Sequence, residues 1–206
     1  MLEFNHIKIA WLGHASFRIE KEITIYIDPF QLKPHQPKAD LVLVTHDHYD
    51  HCSETDIKAI SKEDTIIIGP EKAMKKLSGN TKIIKPGETI KIKGVAIKAV
   101  HAYNINKPFH PKGTGVGFII TIDGTKIYHA GDTDLIPEMD VITADIALLP
   151  VGGTYTMNAL EAAEAANKIK PVVAIPMHYG KIVGTKEDAV LFSRKAECEV
   201  KILEPE

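Results

Sequence analysis

Two apolar runs do most to limit what this chain can fold into: "ADLVLVTH" at 39–46 and "ADIALLPV" at 144–151. Each is continuously apolar, as a strand covered on both faces would be. Each also follows a stretch rich in β-branched residues and precedes a helical segment. "IKIAWLG" (7–13), "SFRIEK" (16–21) and "TIYIDPF" (24–30) read as strands. "SETDIKAISKED" (53–64) reads as a helix with Ser53 as N-cap, "TIIIG" (65–69) as a buried strand, and "PEKAMKKLSGN" (70–80) as a short helix.

The second half repeats the order. Short strands broken by turns are expected over 82–102, and a hairpin turning at Asp123-Gly124 over 115–133. A helix over 158–170, a buried strand over 172–178 and a helix over 186–196 follow. Strand-rich stretches that give way to strand–helix–strand, twice, predict an α/β fold. Two β-sheets would pack together with helices outside, as one domain over 1–206.

A chain of 206 residues is long enough to bury a core of this kind. Its 25 basic and 27 acidic residues give a net charge of -2, which offers no electrostatic case for nucleic acid as partner. Cys52 and Cys198 are far apart in sequence, so no disulfide framework is expected and a reducing compartment fits. The first residues lack a signal peptide's apolar core, and no apolar run approaches the ~20 residues of a membrane span. The expectation is a cytoplasmic protein with a small-molecule substrate and no membrane partner; homo-oligomerisation stays open.

The sharpest chemical signal follows the first apolar run. "THDHYDH" (45–51) places three histidines and two aspartates in seven positions. His46 and His48, two apart, can converge from an extended loop, with Asp50 and His51 on the turn into a helix. Neutral imidazole and carboxylate are ligands that zinc, iron and manganese accept. His101, Asp132 and His178 end further strands. Singly, each would be unremarkable; together, four strand exits deliver metal-type ligands, as a site at one sheet edge requires.

These residues resemble the metallo-β-lactamase superfamily of metal-dependent hydrolases, over nearly the whole chain. "WLGHASFRIE", "IYIDPF", "HAGDTDL" and "VVAIPMHYG" further resemble its branch of small single-domain hydrolases that includes ascorbate-6-phosphate lactonase. The resemblance implies a four-layer αβ/βα sandwich with two divalent metal ions at one edge, zinc or manganese, with iron a third option. It assigns His46, His48 and His101 to one metal, Asp50, His51 and His178 to the other, and Asp132 to a bridge between them. Two bridged metals would lower the pKa of a shared water to roughly 7. Asp50 would orient that nucleophile or shuttle its proton. The implied reaction is hydrolysis of a small ester, lactone or phosphoester. The alternatives are a nuclease or phosphodiesterase acting on nucleic acid, and a non-catalytic metal-binding protein.

Around this set, Asp28 is expected to support a ligand from behind, because a metal-bound imidazole usually gives its other N–H to a carboxylate. His14 could face the site or cap a turn. His129 reads as structural, and Thr45 and Thr133 as supporting hydroxyls. Tyr103 and His110, on the long loop after His101, and Tyr155, on "GGTYTMN", are candidate substrate contacts. Lys107 and Lys112 share that loop and could hold a substrate phosphate. Cys52 reads as an inert buried thiol.

Overall fold

The computed structural model describes residues 1–206. Its contacts divide into two compact units, Met1–Lys85 with Leu203–Glu206, and Pro86–Ile202. Each unit is built on a seven-stranded mixed sheet.

The first sheet runs in chain order: β1 (Leu2–Phe4), β2 (Ile7–Gly13), β3 (Ser16–Glu20), β4 (Thr24–Ile27), β5 (Leu41–Leu43), β6 (Ile66–Gly69) and β7 (Asn80–Ile83). β1 to β4 pair antiparallel and β4 to β7 parallel. The helices α1 (Glu54–Ile60) and α2 (Glu71–Met74) are the crossovers that parallel pairing demands. Ile57, Ile60 and Met74 on these helices pack with Leu12, Val42, Val44 and Ile67. Each such isoleucine, fully buried, contributes about 1.5–3 kcal/mol. The alternate residues Ile9, Ile25, Leu41, Leu43 and Ile68 are buried too. The "LVLV" strand is therefore covered on both faces, as its composition requires.

The second unit repeats the plan. β8 (Thr89–Ile92), β9 (Val95–Ala102), β10 (Gly115–Ile122) and β11 (Thr125–His129) pair antiparallel. β11, β12 (Ile146–Pro150), β13 (Val173–Met177) and β14 (Glu199–Val200) pair parallel. The helices α3 (Ala159–Ile169) and α4 (Lys186–Lys195) pack against β12 and β13 respectively. α3 begins with a full capping box between Asn158 and Glu161, worth about 1 kcal/mol. No helix is long and apolar enough to cross a membrane.

The expected helix over 70–80 is only one turn long. Lys76 and Leu77 donate to Ala73 and Met74, three residues back, so the chain tightens and leaves for β7. The expected strand over 39–46 keeps ladder pairing only at Leu41–Leu43. Beyond it, the Thr45 N–H donates to the Asp28 side chain at 2.8 Å. A side chain takes over from the sheet where the ligand loop begins.

Candidate metal centre

The "THDHYDH" loop leaves the C-terminal end of β5, and Asp28 leaves the end of its parallel neighbour β4. Parallel pairing thus brings both segments to the same edge. Asp28 is fully buried, and its Oδ2 accepts from the Thr45 hydroxyl at 2.6 Å and from His51 Nδ1 at 2.7 Å. The hydroxyl has spent its proton on Asp28, so it meets His46 Nδ1, 3.0 Å away, as an acceptor. Both imidazoles therefore carry the proton on Nδ1 and keep a lone pair on Nε2. One carboxylate sets the tautomers of two histidines, the arrangement that prepares imidazole for a metal.

Those prepared nitrogens face other donors of electron pairs. His46 Nε2 lies 3.1 Å from His48 Nδ1, and His51 Nε2 lies 3.7 Å from Asp50 Oδ2. His14 Nε2 sits 3.1 Å from the same Asp50 oxygen, and its ring lies edge-on to that of His51. His14, Asp50 and His51 offer ligand atoms within 4.8 Å of one another. Neutral imidazole and carboxylate at this spacing are the donor set a divalent transition metal accepts.

The second unit supplies its own cluster at the ends of β11 and β13. His178 Nε2 is 3.1 Å and His110 Nε2 3.4 Å from Asp132 Oδ2, and all three residues are buried. The tautomer of His110 is also determined. Asn104 Nδ2 donates to Asp134 Oδ1 and to the Tyr155 carbonyl, so its Oδ1 is the acceptor for His110 Nδ1 at 3.1 Å. The His110 proton is on Nδ1, and the Nε2 lone pair faces the Asp132 carboxylate. Two acceptors held 3.4 Å apart favour a cation between them.

Three of these residues adopt left-handed backbone angles that non-glycine residues rarely take: His14 (φ 52°), Asp28 (φ 45°) and His178 (φ 60°). Such angles persist where the surroundings over-determine them, and they concentrate at functional sites. At His178 the surroundings include Gly152, where a Cβ would lie 2.3 Å from the His178 carbonyl oxygen.

The remaining expected residues take different places. His101 lies near the end of β9, half-buried, with its ring against Tyr103 at 6.4 Å and no polar contact with Asp132 or His178. Residues that end strands are visible in sequence, which favoured His101; His110 comes from a loop and carries no such signal. Tyr103 gives its hydroxyl to Glu138 at 2.9 Å. His129 is buried, and its Nδ1 accepts the Gly131 N–H in the turn before Asp132. The Thr133 hydroxyl bonds the backbone of Tyr103 and Asp134. Tyr155 packs edge-on against Phe109 at 4.8 Å. Cys52 is a free, buried thiol that burial and the Asp28 charge push up to about 11, which leaves it unreactive at neutral pH.

The two loop lysines are already neutralised. Lys107 donates to Asp134 at 2.6 Å and to the Thr156 carbonyl at 2.7 Å; Lys112 donates to Glu138 at 2.7 Å. Both ammonium groups are thus engaged by carboxylates in this structure.

Known proteins agree with this chemistry. Residues 8–178 match the model of the beta-lactamase superfamily domain. A UPF0173 metal-dependent hydrolase of Thermoplasma acidophilum is 40% identical over 190 residues, covering 84% of each chain. The crystal structure of a protein from Parabacteroides distasonis, described as a metal-dependent hydrolase, is 37% identical with a TM-score of 0.88. That match covers 97% of this chain and 94% of the other. A Thermotoga maritima structure described as a zinc-dependent hydrolase of the metallo-β-lactamase superfamily is 28% identical, with a TM-score of 0.64 over 95% and 97% of the two chains. The two mixed seven-stranded sheets with their helices are the fold of those relatives, and the chain belongs to the metallo-β-lactamase superfamily, among its metal-dependent hydrolases.

Proposed function

We propose that this protein hydrolyses a small ester or lactone with two divalent ions, zinc or manganese, held by His46, His48, Asp50, His51, His110, Asp132 and His178. The observation that carries the reading is the Asp28–Thr45 pair, which leaves Nε2 of His46 and of His51 ready to coordinate. We assign to His110 the place expected for His101, because its Nε2 faces Asp132, whereas the ring of His101 lies against Tyr103. Zinc is the metal in the description of the Thermotoga maritima relative. The resemblance to the branch with ascorbate-6-phosphate lactonase supports a lactone or ester as the scissile group.

Bound at this set, the ions supply Lewis-acid chemistry and lower the pKa of water to roughly 7. The chain's own residues do the rest. The Asp50 carboxylate would take a proton from the attacking water. His14 Nε2, 3.1 Å from its Oδ2, holds that carboxylate in place. Asp28 is the fixed partner that keeps His51 from rotating. With Lys107 and Lys112 each paired with a carboxylate and a net charge of -2, the chain offers a polyanion little attraction, which weighs against nucleic acid as substrate.

The test quantifies metal per chain, then screens lactones, esters, phosphodiesters and RNA side by side. Asp50→Asn should retain most of the metal at the site of His46 and His48 and lose ~10²–10⁴-fold in kcat on the best lactone or ester. RNA cleaved fastest, and increasingly so at low salt, would overturn the reading in favour of a nuclease.

A further inference from the structure

Next to His110, one surface of the second unit is unlike the rest of the loop that carries it. Phe109 is 41% exposed and Ile105 52% exposed, on a loop otherwise full of polar bonds. The Phe109 ring meets that of Tyr155 at 4.8 Å and 85°. Two separate segments, 104–110 and 153–156, had to be joined to make this contact, and the joint is polar and buried.

Asn104 is its centre. Its Oδ1 accepts from His110 N at 2.9 Å and from Nδ1, while Nδ2 reaches Asp134 and the Tyr155 carbonyl. Asp134 accepts the Ile105 N–H at 2.9 Å and the Lys107 ammonium, which in turn donates to the Thr156 carbonyl. The next residue, Met157, donates its N–H to Thr133, beside Asp132. A satisfied network of this kind rigidifies what it supports. It holds the exposed Phe109 ring, one residue from the imidazole that faces Asp132, against the half-buried ring of Tyr155.

We infer that Phe109 and Tyr155 form a substrate-binding wall that selects an uncharged apolar group, best an aromatic ring, beside the scissile bond. The inference rests on the hydrolase reading above and names its substrate class. The occupant follows from charge as well as shape. The two lysines of this loop, Lys107 and Lys112, are paired with Asp134 and Glu138, so the loop offers an anionic group little attraction. An apolar group covers rings that otherwise face water. The Phe109–Tyr155 contact alone could be a staple between two loops. A staple, however, would raise no distinction between an apolar and a charged substrate.

Three γ-lactones differing only in substituent separate these cases: methyl, phenyl, and phosphate-bearing. The metal-loaded wild type should favour phenyl over methyl by about tenfold in KM, with the phosphate analogue poorest. Phe109→Ala and Tyr155→Ala should each bring the phenyl-to-methyl ratio towards unity with metal content retained, and Phe109→Leu should keep part of it. A preference for the phosphate analogue, or a phenyl preference that survives both alanine variants, overturns the wall. If the loaded protein opens none of the lactones, the lactone reading fails separately. The calorimetric affinities of the three ring-opened hydroxy acids then decide: equal values for methyl and phenyl overturn the wall, and tighter phenyl binding lost in Phe109→Ala sustains it.

Discussion

The carboxylate of Asp28 receives the backbone N–H of Thr45 at 2.8 Å and its hydroxyl at 2.6 Å. Because the hydroxyl proton is committed there, Thr45 can only accept from His46, and the same carboxylate accepts from His51. A residue that would touch no ion thus decides which nitrogen two histidines present.

Asp28→Asn tests that control without disturbing the backbone, since asparagine tolerates the φ of 45°. The amide lacks one acceptor, so its NH2 faces either the Thr45 backbone N–H or, turned over, both the Thr45 hydroxyl and His51 Nδ1. If Thr45 turns its proton to His46 Nδ1, the tautomer of His46 reverses. Metal affinity, measured by chelator competition, should fall about 10–100-fold with the fold retained by circular dichroism. An affinity equal to wild type would show that the imidazoles do not depend on Asp28.

Gly152→Ala probes how His178 is seated. The new Cβ would lie 2.3 Å from the His178 carbonyl oxygen, against backbone that cannot swing away. The end of β13 has to move. A loss of about 1–3 kcal/mol in urea unfolding is expected, with weakened metal retention. An alanine variant as stable and as well loaded as wild type would mean that the two strand ends are free to separate.

Glu138 gives a pH test away from the ligands. Its hydrogen bond with Lys112 is the main reason its carboxyl is held down, at about 2, against an ordinary value of 4.5. A depressed folded pKa means stability that is present above the unfolded value and lost as pH falls from about 4.5 through about 2. Both groups are partly open to solvent, so the pair's contribution at neutral pH is small. Glu138→Gln should lower stability slightly at pH 7, and the difference from wild type should shrink towards zero near pH 2. A difference that persists at low pH would assign the effect to packing of Tyr103 and Lys112 instead of charge.

Much of this was readable from the chain. The two doubly buried strands have no polar face, so "LVLV" and "IALLP" could be nothing else, and a ligand loop so dense in His and Asp has little other use. The three Lys-Gly, Asp-Gly and Asn-His hairpin turns, with positive φ at both central residues, were legible only where glycine marks them; Asn5-His6 carries no such mark. The strained angles at His14, Asp28 and His178 left no trace in composition, because tertiary contacts impose them. β14, a two-residue edge strand, was hidden in polar sequence, and β7 begins at Asn80, inside the segment expected as helix. The hardest to read was the loop after β9: its hydrogen bonds run through Asn104, an ordinary-looking residue whose partners lie 30 and 51 positions away.

That loop carries the last prediction, which sets His110 against His101. His101 fits a rule of sequence, a histidine near a strand end; His110 fits a rule of chemistry, a lone pair fixed by Asn104 and aimed at a carboxylate 3.4 Å away. If coordination follows the lone pair, His110→Ala should drop metal content from about two ions per chain towards one, and His101→Ala should leave it near two. Cobalt substitution adds a second readout, since loss of an imidazole nitrogen alters the visible absorption of that ion. His110→Ala keeps the backbone N–H to Asn104 at 2.9 Å, so the loop retains an anchor, and thermal unfolding of both variants checks that it does. Loss of an ion in His101→Ala with His110→Ala fully loaded would restore the strand-end histidine and make His110 a neighbour of Asp132 only.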